Sequence, residues 1–231
     1  MIDLAFMAEI LPRLLGGLPL TLKLAGASIS LGFLLALTLA LTRLHGPAWV
    51  GWPIRGFVGF FRGTPLLAQI FLIYYGLGQF RPELQALGLW GFFREPYWCA
   101  VLALTCNTGA YGSEILRGAI AAVPRGLIEA ARAAGLSQLL TLRLVVLPLA
   151  FRQAIPAYGN EIILMVKGTS LASIVTLMEV TGLAQGLIAT TYRAVEVFVC
   201  AGVIYLALNF LVIRALAALE RRLWPERRAA V

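Results

Sequence analysis

Long apolar runs, returning at near-regular intervals, constrain this chain more than any other feature. Residues 14–42, 56–80, 96–116, 153–178 and 197–213 each meet or approach the roughly 20 mostly apolar residues needed to cross about 30 Å of hydrocarbon. The whole chain is 60% hydrophobic and 13% charged, against about 45–50% and 25% in soluble domains. This pattern predicts an all-α membrane protein: one domain over residues 1–231 with five transmembrane helices. The first residues, MIDLAFMAEILPR, place acids where a cleaved signal peptide would carry basic residues, so a signal peptide is not expected.

The basic residues set an orientation. Twelve of the 19 follow the first, third and fifth runs: Arg43, Arg55, Arg117, Arg125, Arg132, Arg143, Arg152, Arg214, Arg221, Arg222, Arg227 and Arg228. Arg13, Arg81, Arg94 and Arg193 lie on the other side, while Lys23, Arg62 and Lys167 fall inside runs. The positive-inside rule then puts the N-terminus outside and the C-terminus in the cytoplasm. Topology accounts for the net charge of +8 more simply than nucleic-acid binding does, so no nucleic-acid partner is expected. Cys99, Cys106 and Cys200 form no metal-spaced motif, and Cys99 and Cys106, seven residues apart, are too distant to bridge. They read as small packing residues. The single histidine, His45, excludes paired-imidazole ligation within this chain.

Between the runs, residues 43–55 (RLHGPAWVGWPIR) read as an interfacial turn and 81–95 as an outer-surface loop. Residues 214–228 read as a basic helix continuing the last span. The fourth run is anomalous. Only 14 residues separate Arg152 from Lys167 and one of them is Glu161, with Pro148 and Pro156 at its beginning and Gly168 interrupting it. Charge and irregular backbone at membrane depth are tolerated only against protein or water, so this run predicts a pathway.

Residues 123–137, VPRGLIEAARAAGLS, form a short charged segment between two spans. Leu127, Ala130, Ala131 and Ala134 follow helical spacing and make a small, flat apolar face, with Arg125, Glu129 and Arg132 on another. Pro124 suits a helix start, a first-turn Glu129 suits the positive helix end, and Gly135 suits a left-handed cap. An alanine face buries too little area to hold a helix on lipid, so it predicts docking against protein.

Glu129-Ala130-Ala131, three further residues and Gly135, with Leu147-Pro148 downstream, resemble the EAA loop of ABC importer permeases. FFRGTPLLAQIFLIYYGL at 60–77, NTGAYGSEILRGAI at 107–120 and IPAYGNEIILMVKGTSLAS at 155–173 resemble the polar amino-acid permeases, nearest the M-type subunits for histidine, lysine, arginine, ornithine and opines. The resemblance covers nearly the whole chain. It implies a type I ABC importer permease in the bacterial inner membrane, moving a polar, cationic amino acid or an opine inward by alternating access. Glutamine, glutamate or another polar amino acid is the alternative cargo. The loop over about 123–148 would then carry a coupling helix, with Arg125, Gly126, Glu129, Ala130, Ala131 and Gly135 facing a cytoplasmic ATPase dimer. A second permease subunit, related or identical, and an extracellular or periplasmic binding protein would complete the assembly. The chain has no G-x-x-x-x-G-K-[ST] phosphate loop, so it is expected to be no enzyme and to hold no cofactor, ATP and Mg being bound by the partner.

Seven residues are candidates for substrate contact. Glu161 leads, because a carboxylate within a span costs about 2.5–3.5 kcal/mol and needs compensation. A substrate cation would provide it, and so would an ion pair with Lys167 or Arg152. Asn160 adjoins it. Asn107 and Tyr111 share a face of the third span with Glu114, which alternatively pairs with Arg117 or Arg62; an Arg62–Glu114 pair is the structural expectation. Arg62-Gly63-Thr64-Pro65 predicts a kink, with Arg62 snorkelling toward the cytoplasm and Gln69 about two turns deeper. Thr169 and Ser170 follow the break at Gly168, where freed backbone groups hold polar ligands. An intramembrane serine protease built on Ser113 would need a nearby histidine, and His45 lies in a different segment. A passive channel or secondary carrier would have no use for a docking helix.

Overall fold

The structure, a computed structural model, describes residues 3–223, except for the His45 side chain. Arg227 and Arg228 therefore lie outside the described residues. All regular elements among those residues are helical.

The chain opens with α1 (Leu4–Leu15), and α2 (Leu18–His45) follows at once. The first run, read as continuous from residue 14, is thus divided at Gly16-Gly17. Space decides the division: a Cβ on Gly17 would stand 2.5 Å from the Val180 backbone nitrogen, so the chain must be glycine there. Asp3 caps α1, its Oδ1 accepting the Phe6 N–H at 3.0 Å while Oδ2 accepts from Arg193 at 2.8 Å. That amide, and then the guanidinium, hold the exposed Asp3 carboxyl below its usual range.

Residues 48–55, expected as loop, belong to α3 (Ala48–Gly63). The chain then breaks at Thr64-Pro65, since Pro65 forces its predecessor out of helical geometry. It resumes as α4 (Leu66–Phe71), running into a π-turn at Leu72–Gly76, and the two limbs are bent by 112°. The run at 56–80 is therefore not a straight span; its kink lies where the Gly and Pro predicted it. Two short helices, α5 (Arg81–Ala86) and α6 (Trp90–Phe93), occupy the expected loop at 81–95.

α7 (Pro96–Ala121) is the central helix, packed against α2, α3, α4 and α10. Small residues allow the close approach. Cβ atoms on Gly109 and Gly112 would meet Leu35 at 2.5 Å and Tyr158 at 2.8 Å. With neighbours around it, α7 carries Asn107, Thr108 and Ser113 buried, and it is not among the three helices that are long and apolar enough to span by themselves. Those are Leu18–Leu44, Gln138–Val175 and Ala194–Arg222, and the bent pair makes a fourth.

After α8 (Arg125–Ala133), α9 (Gln138–Thr141) passes through a π-turn at Leu142–Val146 into α10 (Leu147–Gly168) and a 3-10 turn at Thr169–Val175. The expected loop to residue 148 therefore ends at Ser137. Pro148 and Pro156 do not delay the helix: Pro148 stands in the first turn of α10, beyond a π-turn, and Pro156 lies inside it. α11 (Val180–Thr191), unforeseen, precedes α12 (Ala194–Leu223). Ile10, Leu14, Val180 and Val197 join α1, α11 and α12 in one apolar cluster, and Ala36, Leu116 and Ala150 join α2, α7 and α10 in another.

Candidate functional site

α8 is a two-and-a-half-turn helix with a defined end. Gly135 takes φ +82°, and the Leu136 and Gly135 amides donate to the carbonyls of Ala131 and Arg132, the double closure of a Schellman cap. Glu129 is the fifth helical residue, not in the first turn, so the helix N-terminus does not account for it. The alanine face is split. Ala131 is buried and Ile128 packs beside it on the bundle, while Leu127, Ala130 and Ala134 stay exposed with Arg125, Gly126, Glu129 and Arg132. Part of the helix is seated on its own spans, and the rest is open.

Gln69 organises the break between α3 and α4. Its side chain is buried, and the two hydrogens of Nε2 are shared among the Phe61 carbonyl at 2.8 Å, the Thr64 carbonyl at 3.0 Å and Thr64 Oγ1 at 2.9 Å. Asn107 Nδ2 donates to Gln69 Oε1 at 3.0 Å, tying the bend to α7. These amides satisfy backbone groups that the break frees, so they hold the break in shape. Thr169 and Ser170 likewise spend their hydroxyls on carbonyls three residues back, Val166 and Lys167, each at 2.7 Å.

Arg62 does not pair with Glu114. Its guanidinium lies 5.3 Å from the Tyr111 ring centroid, and the Tyr111 hydroxyl donates to the Arg62 carbonyl at 3.3 Å. Glu114 instead receives Arg43 on one oxygen and Arg117 on the other, the latter through Nε at 3.0 Å and Nη2 at 2.7 Å. This triad joins the ends of α2 and α7. Arg43 is the member that spacing did not reveal, because it approaches from 71 residues away.

Glu161 is buried on α10 and makes no hydrogen bond or ion pair among the described residues; Arg62 is the cation whose charge reaches it. Lys167 and Arg152 are both exposed and neither pairs with it. Asn160, its neighbour, is exposed. Arg62 and Tyr111 thus meet at the α3–α4 break, while Glu161 lies buried on α10, which packs against α7.

Glu179 was not anticipated. It is fully buried, its Oε1 accepts the Gly182 N–H at 2.9 Å as the cap of α11, and its Oε2 accepts Tyr205 Oη at 2.5 Å. Thr21 Oγ1 lies 3.4 Å from the same oxygen. A signal was present: Glu179 is the only charged residue between Lys167 and Arg193, and a glycine stands three residues on.

Residues 28–225 match the family described as binding-protein-dependent transport system inner membrane component. The octopine transport system permease protein OccM of Rhizobium meliloti is 54% identical over 226 residues, which cover 98% of this chain and 92% of that protein. The arginine ABC transporter permease protein ArtM of Escherichia coli (strain K12) is 46% identical over 218 residues, covering 94% and 96%. Among solved structures, one described as an amino acid ABC transporter with histidines superimposes with TM-score 0.85 at 32% identity, over 96% of this chain and 99% of that one. This chain belongs to the inner membrane components of binding-protein-dependent transport systems, and is a multi-pass permease of the type I ABC fold.

Proposed function

We propose that this permease carries polar amino acids or opines, with a cationic side chain preferred, into the cytoplasm by alternating access. The observation that carries this reading is the similarity, over more than nine-tenths of the chain, to an octopine permease and an arginine permease. The chemistry of the site supports it: a buried, unpaired carboxylate at Glu161 suits a cationic cargo. Asn160, Tyr111 and, through the bend they hold, Gln69 and Asn107 shape the path beside it, with Thr169 and Ser170 just beyond.

In this reading the five spans are α2, the bent α3–α4 pair, α7, α9–α10 and α12, with the N-terminus outside. α8 then meets a separate cytoplasmic ATPase dimer through Arg125, Gly126, Glu129, Ala130 and the Gly135 cap, Ala131 holding the helix on the bundle. ATP and Mg belong to that partner. A second permease subunit, related or identical, supplies the other half of the path, and a soluble binding protein delivers the cargo. The test is uptake in proteoliposomes holding the full complex, with labelled arginine, lysine, histidine, glutamine, glutamate and octopine. Accumulation of cationic amino acids or octopine that requires ATP is the expected result. Uptake confined to glutamine or glutamate would reverse the preference, and uptake without ATP would remove the coupling.

A further inference from the structure

Four helices leave an open cleft of about 270 Å³, lined by Phe33 of α2, Leu116 of α7, Ile155 and Gly159 of α10, and Leu216 and Leu219 of α12. Tyr158 also borders it, with its hydroxyl buried, so the wall presents apolar surface. Leu219 stays 47% exposed. An open apolar cleft of this kind marks a place for an apolar occupant.

The helices fix its depth. Leu216 and Leu219 face the first half of α10, while Tyr205 and Asn209 border a space shared with Lys167, so α10 and α12 run antiparallel. A Cβ on Gly159 would stand 3.4 Å from Leu216, which sets their register. Phe151, just before the apolar run 153–178, and Leu216, just after 197–213, both border the cleft. It therefore opens where both spans reach the cytoplasmic boundary. Arg152 stands seven residues before Gly159, and Arg222 six after Leu216, each about 9–10 Å nearer the cytoplasm at 1.5 Å per residue. Arg152 is three residues from Ile155 and Arg222 three from Leu219, the spacing of neighbours on a helix surface. Both arginines are exposed, and neither makes an ion pair among the described residues. Glu220 lies about 200° round α12 from Arg222 and does not reach it.

An occupant that suits both parts has an apolar body and an anionic end. Positive-inside topology explains arginines on this side of the membrane, but not two unpaired ones flanking an apolar cleft. We propose that the cleft is a site for an anionic phospholipid of the cytoplasmic leaflet, with an acyl chain along Ile155, Gly159 and Leu216 and the phosphate between Arg152 and Arg222. Guanidinium groups match phosphate oxygens bidentately, and basic pockets between spans on the cytoplasmic side bind anionic headgroups. A second permease copy is the rival occupant; it would cover the apolar wall but leave the arginines without an anion. The proposal rests on the orientation given above and not on which cargo is carried.

The test counts lipids held by the purified permease–ATPase complex, by mass spectrometry of the intact assembly after washing in detergent with equal phosphatidylglycerol and phosphatidylethanolamine. Wild type should retain phosphatidylglycerol about tenfold over phosphatidylethanolamine. Arg152→Gln with Arg222→Gln should abolish that preference. Arg214→Gln with Arg221→Gln removes the same charge, but each of those arginines lies about 200° round α12 from a lining leucine, so this pair should keep the preference. Ile155→Trp fills the cleft and should lose the lipid with charge unchanged, thermal unfolding showing that the variant is folded. Should it fail to assemble, the two arginine pairs decide alone. No preference in wild type, equal loss in both arginine pairs, or full retention by a folded Ile155→Trp complex overturns the site. So does a Leu219→Cys disulfide between two permease copies in a complex that holds no phosphatidylglycerol, which gives the cleft to the second subunit. Reversed labelling of cysteines placed at positions 87 and 138 would overturn the orientation instead, with the lipid counts unchanged.

Discussion

Tyr205 donates its hydroxyl to Glu179 at 2.5 Å, joining α12 to the start of α11 through a carboxylate that has no exposed surface. The same carboxylate takes the Gly182 amide and faces Thr21 on α2, so three helices share one acceptor. Tyr205→Phe removes one donor and should lower stability by about 1–3 kcal/mol. Glu179→Ala should cost more, since it strands both the amide and the hydroxyl. The double variant should fall short of the sum, because the two act on one contact. Thermal unfolding in detergent reads all three, and strict additivity would show that the contact holds nothing.

The bend at Thr64-Pro65 depends on Gln69 as much as on proline. Gln69→Leu keeps the volume but strips the Thr64 carbonyl of its Gln69 donor and leaves the Phe61 carbonyl and the Asn107 amide with only the long 3.5 Å bond between them. Unsatisfied buried groups cost about 1–3 kcal/mol each, so folded yield should drop sharply. Asn107→Ala should be milder, removing one bond to Gln69 and a long one of 3.5 Å to Phe61. Size-exclusion profiles and melting temperatures of the two variants provide the comparison. A Gln69→Leu protein as stable as wild type would assign the bend to proline alone.

Local features were legible where one segment contains its own cause. Arg62-Gly63-Thr64-Pro65 predicted a break, and Gly135 predicted a left-handed cap; the chain does both. Glu179 stood out only as an isolated charge; its role was not legible because its partners Thr21 and Tyr205 lie 158 and 26 residues away. The Arg62–Glu114 expectation failed for the same reason: Arg43, 71 residues distant, reaches Glu114 across the α2–α7 packing. Helix limits suffered from punctuation read too strictly. Pro148 marks no boundary when a π-turn precedes it, and Trp49 and Trp52 sit on a helix that polar flanks had disguised as a turn.

Orientation has a direct readout. Leu87 is exposed beyond α5 and Gln138 begins α9. In a cysteine-free background, Leu87→Cys should react with an impermeant thiol reagent added to the outer side of intact spheroplasts. Gln138→Cys should react only after permeabilisation. The reverse pattern would place α8 outside and remove it from any cytoplasmic ATPase.

Glu129 tests the coupling role of α8. It is exposed and unpaired, so Glu129→Lys should leave insertion and thermal stability within about 0.5 kcal/mol of wild type. It also makes the exposed face of α8 wholly basic, with Arg125 and Arg132 on either side. Co-purification of the ATPase and ATP-driven uptake should both fall. Gly135→Ala gives a second handle: a side chain at φ +82° costs about 1–2 kcal/mol and should loosen the cap without changing charge. Normal uptake in both variants would remove α8 from coupling.

Glu161 decides whether the buried carboxylate serves cargo or fold. Neither Lys167 nor Arg152 pairs with it among the described residues, and Arg62 lies 5.3 Å from the Tyr111 ring centroid at the bend. Glu161→Gln keeps shape and hydrogen-bonding capacity while removing the charge. If the carboxylate receives a cationic side chain, uptake of arginine or lysine should weaken about tenfold or more, since hydrogen bonds to charged groups are worth about 1.5–3 kcal/mol. Glutamine uptake, where present, should hold or rise. Assembly with the ATPase and basal hydrolysis should survive, because α8 is untouched. If Glu161 instead balances Arg62, the same change leaves that guanidinium uncompensated beside the bend, and folded yield falls for every cargo. Arg62→Met should then restore the yield of the double variant. A stable complex with selectively poor cationic transport supports the binding role, whereas an unstable one rescued at Arg62 makes Glu161 part of the frame.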